Sequence, residues 1–177
     1  DDSAKVPAIL AWPGKIEAAS RIDRVVSSLD INATMIDALG GPALPTSHGR
    51  SLLPLFANSD ADWEDIAFSE FCTESGDLQR MVRLGPWKLN HYHNQPSQLF
   101  NLEEDPRETT DRIDDPACQS IVLDLTARIL DGWDPEAIWE KIQTKIKETQ
   151  VISKWTRNVQ PADSYRWSLR PEMDYLE

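Results

Sequence analysis

The chain has 177 residues, 40% of them apolar and 27% charged, with seven tryptophans; that composition supports a buried core and excludes a disordered chain. Its formal net charge of −12 argues against nucleic acid and against an anionic membrane surface, both of which call for clustered Lys and Arg. An anionic small molecule is not excluded, because a local basic pocket can oppose the global sign.

The chain opens on Asp1-Asp2-Ser3 without a methionine. Val6 to Ala11 (VPAILA) is a nearly continuous apolar run and predicts a short strand covered on both faces, ended by the Trp12-Pro13-Gly14 turn. Asp30 is the predicted N-cap of a helix through Leu39, which stops at Gly40-Gly41-Pro42. One strand and one helix cannot bury each other. Residues 1–57 are therefore expected to be the edge of a larger α/β domain, and the chain a segment of a longer protein.

After the polar break from Asn58 to Asp62 the period changes. Ile66 to Phe71, Arg80 to Leu84, Trp87 to Tyr92 and Gln98 to Leu102 are short strand candidates, and their short connections predict an antiparallel sheet of about four strands. Asp115-Pro116 starts a helix with the stripe Ile121, Val122, Leu125 and Ile129. Asp134-Pro135 starts another. Ile138, Ile142, Ile146, Thr149, Ile152 and Trp155 carry that one to about Asn158, longer than a small sheet can cover. The tail from Gln160, with Tyr165, Trp167 and Tyr175 but no periodicity, is expected to be an arm on a partner surface. Nowhere does a run approach ~18 consecutive apolar residues, so no membrane-spanning helix is expected.

Individual residues carry weaker signals. Cys72 and Cys118 fit neither a disulfide framework nor a zinc spacing and read as free thiols. His91 and His93 lie two apart on one strand face, a spacing that can chelate a metal. With no third ligand in reach, a packed structural pair is the preferred reading, and lining an outer substrate pocket is the functional one. Arg50 reads as a tie between its loop and carboxylates, Trp87 as core, Lys88 as surface. Glu103-Glu104-Asp105 and Asp114-Asp115 read as turn and cap chemistry rather than as a calcium loop.

Four blocks in series resemble the C-terminal portion of the sulfatases. They are VPAILAWPGKI (Val6 to Ile16), RVVSSLDINATMIDALGG (Arg24 to Gly41), GRSLLPLF (Gly49 to Phe56), and the stretch from Leu84 to Arg112 (LGPWKLNHYHNQPSQLFNLEEDPRETTDR). The resemblance implies an alkaline-phosphatase-like α/β fold. Residues 1–57 would be its C-terminal edge, 58–131 a small antiparallel subdomain with a helix, and 132–177 a long helix and extended arm. As a class this is α/β, or α+β within the segment itself.

The resemblance further implies sulfate-ester hydrolysis by a formylglycine made from the Cys or Ser of a C/S-x-P-x-R motif, with a divalent cation, usually calcium, polarising the sulfate. Neither cysteine here begins such a motif, and no serine does. The nucleophile and metal ligands are expected upstream, and this segment alone is expected to be inactive. Ser47-His48-Gly49 is similar to the family's metal-binding D-H-G but lacks the Asp, so His48 is expected to be a loop residue near the cleft. Lys5, close to where the family's active-site lysine would lie, is a candidate for attracting sulfate, with a solvent-facing role preferred. The substrate-binding candidates are thus Lys5, His48, His91 and His93.

The Asp-Pro helix start and long tail are similar to choline-sulfatase-like members. That likeness suggests an aromatic box for a quaternary ammonium drawing on Trp155, Tyr165 and Trp167, a homo-oligomer built through the C-terminal helix and arm, and, with the unpaired cysteines, a cytoplasmic location. The expected partner is a sulfated small molecule. Two other readings stand beside this one: a phosphonate or phosphodiester hydrolase of the same superfamily, and a non-catalytic interaction module.

Overall fold

The computed structural model describes residues 4–73 and 77–159. The chain divides into two compact units at Pro135/Glu136. The first holds α1 (Ser28–Ala38), α2 (Leu53–Ala57), β1 (Ile66–Cys72), β2 (Leu78–Leu84), β3 (Trp87–Tyr92), β4 (Gln98–Asn101) and α3 (Gln119–Leu130). A 3-10 turn, Pro116–Cys118, leads into α3. The helix α4, Pro135–Val159, forms almost all that is described of the second unit.

The sheet is a four-stranded antiparallel meander in the order β1-β2-β3-β4. Its register pairs Phe68 with Val82, Val82 with Leu89 and Leu89 with Leu99, so these four side chains share one face. Gly85, at φ +55°, opens the two-residue β2–β3 turn. Helix α3 lies against β2 and β3 on that face. Leu125 and Ile129, one turn apart on its apolar stripe, are fully buried with Val82, Leu89 and Leu99. Each such side chain contributes about 1.5–3 kcal/mol of burial. Asp115 accepts a hydrogen bond from the Ala117 N–H at 2.9 Å, capping the start of the 3-10 turn that feeds α3.

A second core joins Leu52, Leu55 and Trp63 with Ile22, Val26, Ile31 and Phe56. Asp30 and Thr34, both buried on α1, hold it in place. Asp30 is the third helical residue rather than the cap. Ser27 is the cap, and its N–H donates to Asp30 Oδ2 at 2.7 Å. The other oxygen, Oδ1, accepts from the Arg50 N–H at 2.8 Å. Thr34 Oγ1 donates to the Asp30 carbonyl at 2.6 Å and accepts from the Leu52 N–H at 2.8 Å. Between those anchors Gly49 lies so close to α1 that a Cβ would come within 2.2 Å of the Leu29 carbonyl oxygen. The glycine of Gly49-Arg50-Ser51-Leu52 is therefore explained by backbone contact. The Arg50 guanidinium donates to the Glu64 carbonyl at 2.6 Å and lies 4.0 Å over the Trp63 ring; its partners are a carbonyl and an indole, not the expected carboxylates. The Trp63 indole N–H donates to the Val25 carbonyl at 2.9 Å, and Asp65 accepts from the Val25 N–H at 2.9 Å.

One expected element is absent. Val6 to Ala11 makes no strand, and Val6 and Ile9 are 71% and 94% exposed. A strand needs a neighbouring edge to take its N–H and C=O groups, and none adjoins this segment among the described residues. On α1 the side away from Asp30 is likewise open, with Leu29, Met35 and Leu39 exposed. Helix α4 runs as its periodicity predicts, but none of its residues is buried, and Val151, Ile152, Trp155 and Val159 are exposed. The arm expected from Tyr165, Trp167 and Tyr175 lies outside the described residues.

Candidate functional site

Two of the four candidate residues meet at the end of β3. The register sets His91 opposite Arg80, which places both side chains on the face that α3 covers. Arg80 donates to the Ile129 carbonyl at 2.7 Å, lies 4.8 Å over the Phe68 ring and stands 3.2 Å from Glu70 Oε1. His91 Nδ1 is 3.0 Å from Ser97 Oγ in the β3–β4 turn. Its ring meets Trp133 edge-to-face, with centroids 5.7 Å apart and planes at 81°. Burial first, and the neighbouring His93 second, push the His91 imidazole below its ordinary value. His93 sits in the turn just beyond the strand, with its backbone N–H donating to the Leu78 carbonyl at 2.9 Å.

Lys5 and His48 stand on exposed stretches of the first 57 residues. Of the acidic groups, Asn101 Oδ1 accepts from the Glu103 and Glu104 N–H groups at 3.1 and 3.3 Å. Asp105 Oδ2 accepts from the Thr109 and Thr110 N–H groups at 2.6 and 2.8 Å. The Thr110 N–H foremost holds the Asp105 carboxyl below its usual range. Asp115 is lowered by the Ala117 N–H and then by the Arg112 guanidinium, 2.8 Å away. These carboxylates close turns on themselves, and among the described residues no three His, Cys, Asp or Glu side chains converge as metal ligands. The described residues therefore offer no cradle for the divalent cation.

The residue that sequence reasoning misplaced is Lys88. It is 6% exposed on the sheet face opposite α3, not on the surface. Its Nζ donates to both oxygens of Glu108 at 3.0 and 2.8 Å. Glu108 sits in a left-handed backbone conformation, φ +56°. Its burial raises the carboxyl, but hydrogen bonds and positive charge outweigh this, Lys88 foremost, and the net direction is down. The pair clamps the 101–112 loop to the sheet. Alternation along β3 put Lys88 on the polar face, and only the loop fold, 20 residues on, buries that face here.

This architecture, a four-stranded antiparallel sheet with a helix on one face and a looped acidic turn on the other, is that of the C-terminal part of the alkaline-phosphatase-like sulfatase fold. Among solved structures, one described as BT4656 in complex with its substrate D-glucosamine-2-N,6-O-disulfate matches with a TM-score of 0.60 at 20% identity, over 75% of this chain and 28% of that one. The phosphonate monoester hydrolase of Agrobacterium radiobacter matches with a TM-score of 0.54 at 23% identity, over 67% of this chain and 26% of that one. By sequence, arylsulfatase K of Mus musculus is 37% identical over 120 residues, covering 61% of this chain and 21% of that protein. The choline-sulfatase of Rhizobium meliloti (strain 1021) is 28% identical over 179 aligned positions, covering 97% of this chain and 33% of that protein. The chain belongs to the family described as N-sulphoglucosamine sulphohydrolase, C-terminal, which residues 1–133 match. It spans between about a fifth and a third of the length of the curated relatives named here.

Proposed function

We propose that these residues are the C-terminal part of a sulfatase, a hydrolase of sulfate esters, and that the nucleophile and metal ligands belong to residues outside the 177. The family match over residues 1–133 is the observation that carries this reading. On it, the formylglycine and its divalent cation, calcium in the usual case, act from the larger domain. This segment supplies the wall: a sheet fixed by the Lys88–Glu108 pair, and the corner bearing His91 and His93. Those two histidines, with Lys5 and His48, are the residues assigned to the sulfated small-molecule substrate. Exposure of Lys5 and His48 supports reach to a ligand; the Ser97 and Trp133 contacts of His91 support a positioning role.

Choline sulfate is the substrate this reading names first. Its support is the alignment with the Rhizobium meliloti choline-sulfatase, which runs the length of the chain and through α4. The exposed apolar side chains of α4, Val151, Ile152, Trp155 and Val159, support self-association through that helix. A cytoplasmic location goes with the same choline-sulfatase likeness.

The test is an assay of the complete polypeptide on an aryl sulfate, an aryl phosphonate and choline sulfate. Hydrolysis of the sulfates, with the phosphonate turned over at least ~10-fold less efficiently in kcat/KM, is expected. Preference for the phosphonate would assign the chain instead to the reading that the Agrobacterium radiobacter structure favours. Size-exclusion chromatography with Trp155→Glu tests the association: an oligomer that falls to monomer is expected, and a monomeric parent sinks it.

A further inference from the structure

The segment that follows α3 packs against one titratable ring. Helix α3 ends at Leu130, Gly132 turns the chain at φ +67°, and Trp133 follows, 7% exposed, with its N–H donating to the Leu130 carbonyl at 3.3 Å. Against the Trp133 ring stands His91, and beyond His91 stands Ser97. The imidazole is thus the piece that touches the β3–β4 turn and the segment just after α3 at once.

Burial first, and the neighbouring His93 second, favour its neutral form. From β2, Arg80 is its cross-strand neighbour, and the Arg80 guanidinium already donates to the Ile129 carbonyl at 2.7 Å and reaches the Asp131 carbonyl at 3.5 Å. From the β3–β4 turn, His93 adds a second base. From β1, Glu70 is engaged by Arg80. The segment after α3 carries Asp131, exposed, and Asp134, which has a partner of its own. A proton on His91 therefore places a half-buried cation against the Trp133 ring and next to a second imidazole, an arrangement that the fold resists.

We propose that His91 and Trp133 form an acid-labile joint, in which protonation of His91 releases Trp133 and loosens the end of α3 from the sheet. The sign follows from linkage. A base whose folded value lies below its unfolded value takes up protons on unfolding, so its contribution is whole above pH ~6.5 and falls away as pH drops below it. The device makes the end of α3 and the Trp133 turn that follows it sensitive to pH between about 5 and 7. It does not rest on the sulfatase reading and stands or falls separately from it.

The chain has three histidines, so their imidazole proton resonances can be assigned with single His→Gln variants and titrated by NMR in the intact 177-residue chain. The expected result is a His91 midpoint below ~6.5, with the Trp133 indole N–H resonance, assigned with Trp133→Phe, broadening over the same pH range. Thermal melts give the second readout. The parent is expected to lose at least ~2 °C more than His91→Phe between pH 7.5 and 5.5. A His91 midpoint at or above ~6.5, as a protonated ring held on the face of Trp133 would give, overturns the proposal. So does a Trp133 resonance that ignores the titration.

Discussion

The sheet with α3 and the first stretch of the chain are both rich in apolar residues, yet they use them in opposite ways. In the sheet unit Val82, Leu89, Leu99, Leu125 and Ile129 face one another and are shut off from water. In the first stretch Val6, Ile9, Leu29, Met35 and Leu39 stand exposed. The difference lies in what the surrounding chain supplies. A meander brings each strand its own neighbour within a few residues, whereas a buried parallel strand needs edges contributed by distant segments. Apolar pattern thus reports the environment a segment is written for, and the sheet with α3 finds that environment in the described residues whereas VPAILA and the open side of α1 do not.

The most forceful way to break this contrast is to open the closed core. Leu89→Ala removes a side chain with no exposure, at the centre of the sheet, and is expected to cost about 2–5 kcal/mol. Urea unfolding followed by tryptophan fluorescence reads it. A loss below about 1 kcal/mol would mean that the sheet face is far less closed than its burial indicates.

Next in size is the buried ion pair. Lys88→Met leaves Glu108 as a largely buried carboxylate without its ammonium and is expected to cost about 3 kcal/mol. The double variant Lys88→Met with Glu108→Gln should recover more than half of that, because the charge that faced Lys88 is removed with it. pH sharpens the result. Glu108 titrates below its ordinary value, so its stabilisation is complete above about pH 4.3 and is lost as pH falls through the lower folded value. The parent should therefore destabilise over that acid range more steeply than the double variant. Equal slopes would remove the pair from the account.

Much of this was legible from residue order. Alternation set the four strands, turn residues set their connections, and the 3.6-residue stripe set α3 and α4. The acidic cluster was legible as turn chemistry because Asn and Asp capture nearby backbone N–H groups. Lys88 was not, since its burial depends on a loop that folds back from Glu108. Asp30 has the residue type of a cap, but the capping box at Ser27 shows that it serves at the third position, where it also holds Arg50 from 20 residues away. Of the site candidates, the spacing of His91 and His93 implied shared placement but held no information on Trp133, which comes from 42 residues further along. Contacts of that separation leave no periodic trace.

Gly49→Ala probes the hinge between the two kinds of apolar use. Its new Cβ would sit 2.2 Å from the Leu29 carbonyl oxygen, so the loop must lift and strain the Asp30 and Thr34 hydrogen bonds that hold the second core. About 2 kcal/mol of destabilisation is expected, with amide exchange of Arg50 and Leu52 rising while that of Leu89 does not. Co-equal rises would show that the two cores unfold as one.

The smallest effect is the most discriminating. Ile9→Ser replaces a side chain that is 94% exposed, so in this chain it should change stability by less than about 0.5 kcal/mol. The same substitution at a residue truly buried between strands would cost several times that, through lost burial and an unsatisfied hydroxyl. Making it both in the 177-residue chain and in the complete polypeptide therefore measures what covers VPAILA. A cost that appears only in the complete polypeptide assigns the run to a sheet built by other residues. A cost in neither leaves its apolar character without a packing role and returns residues 6–11 to the class of surface loops.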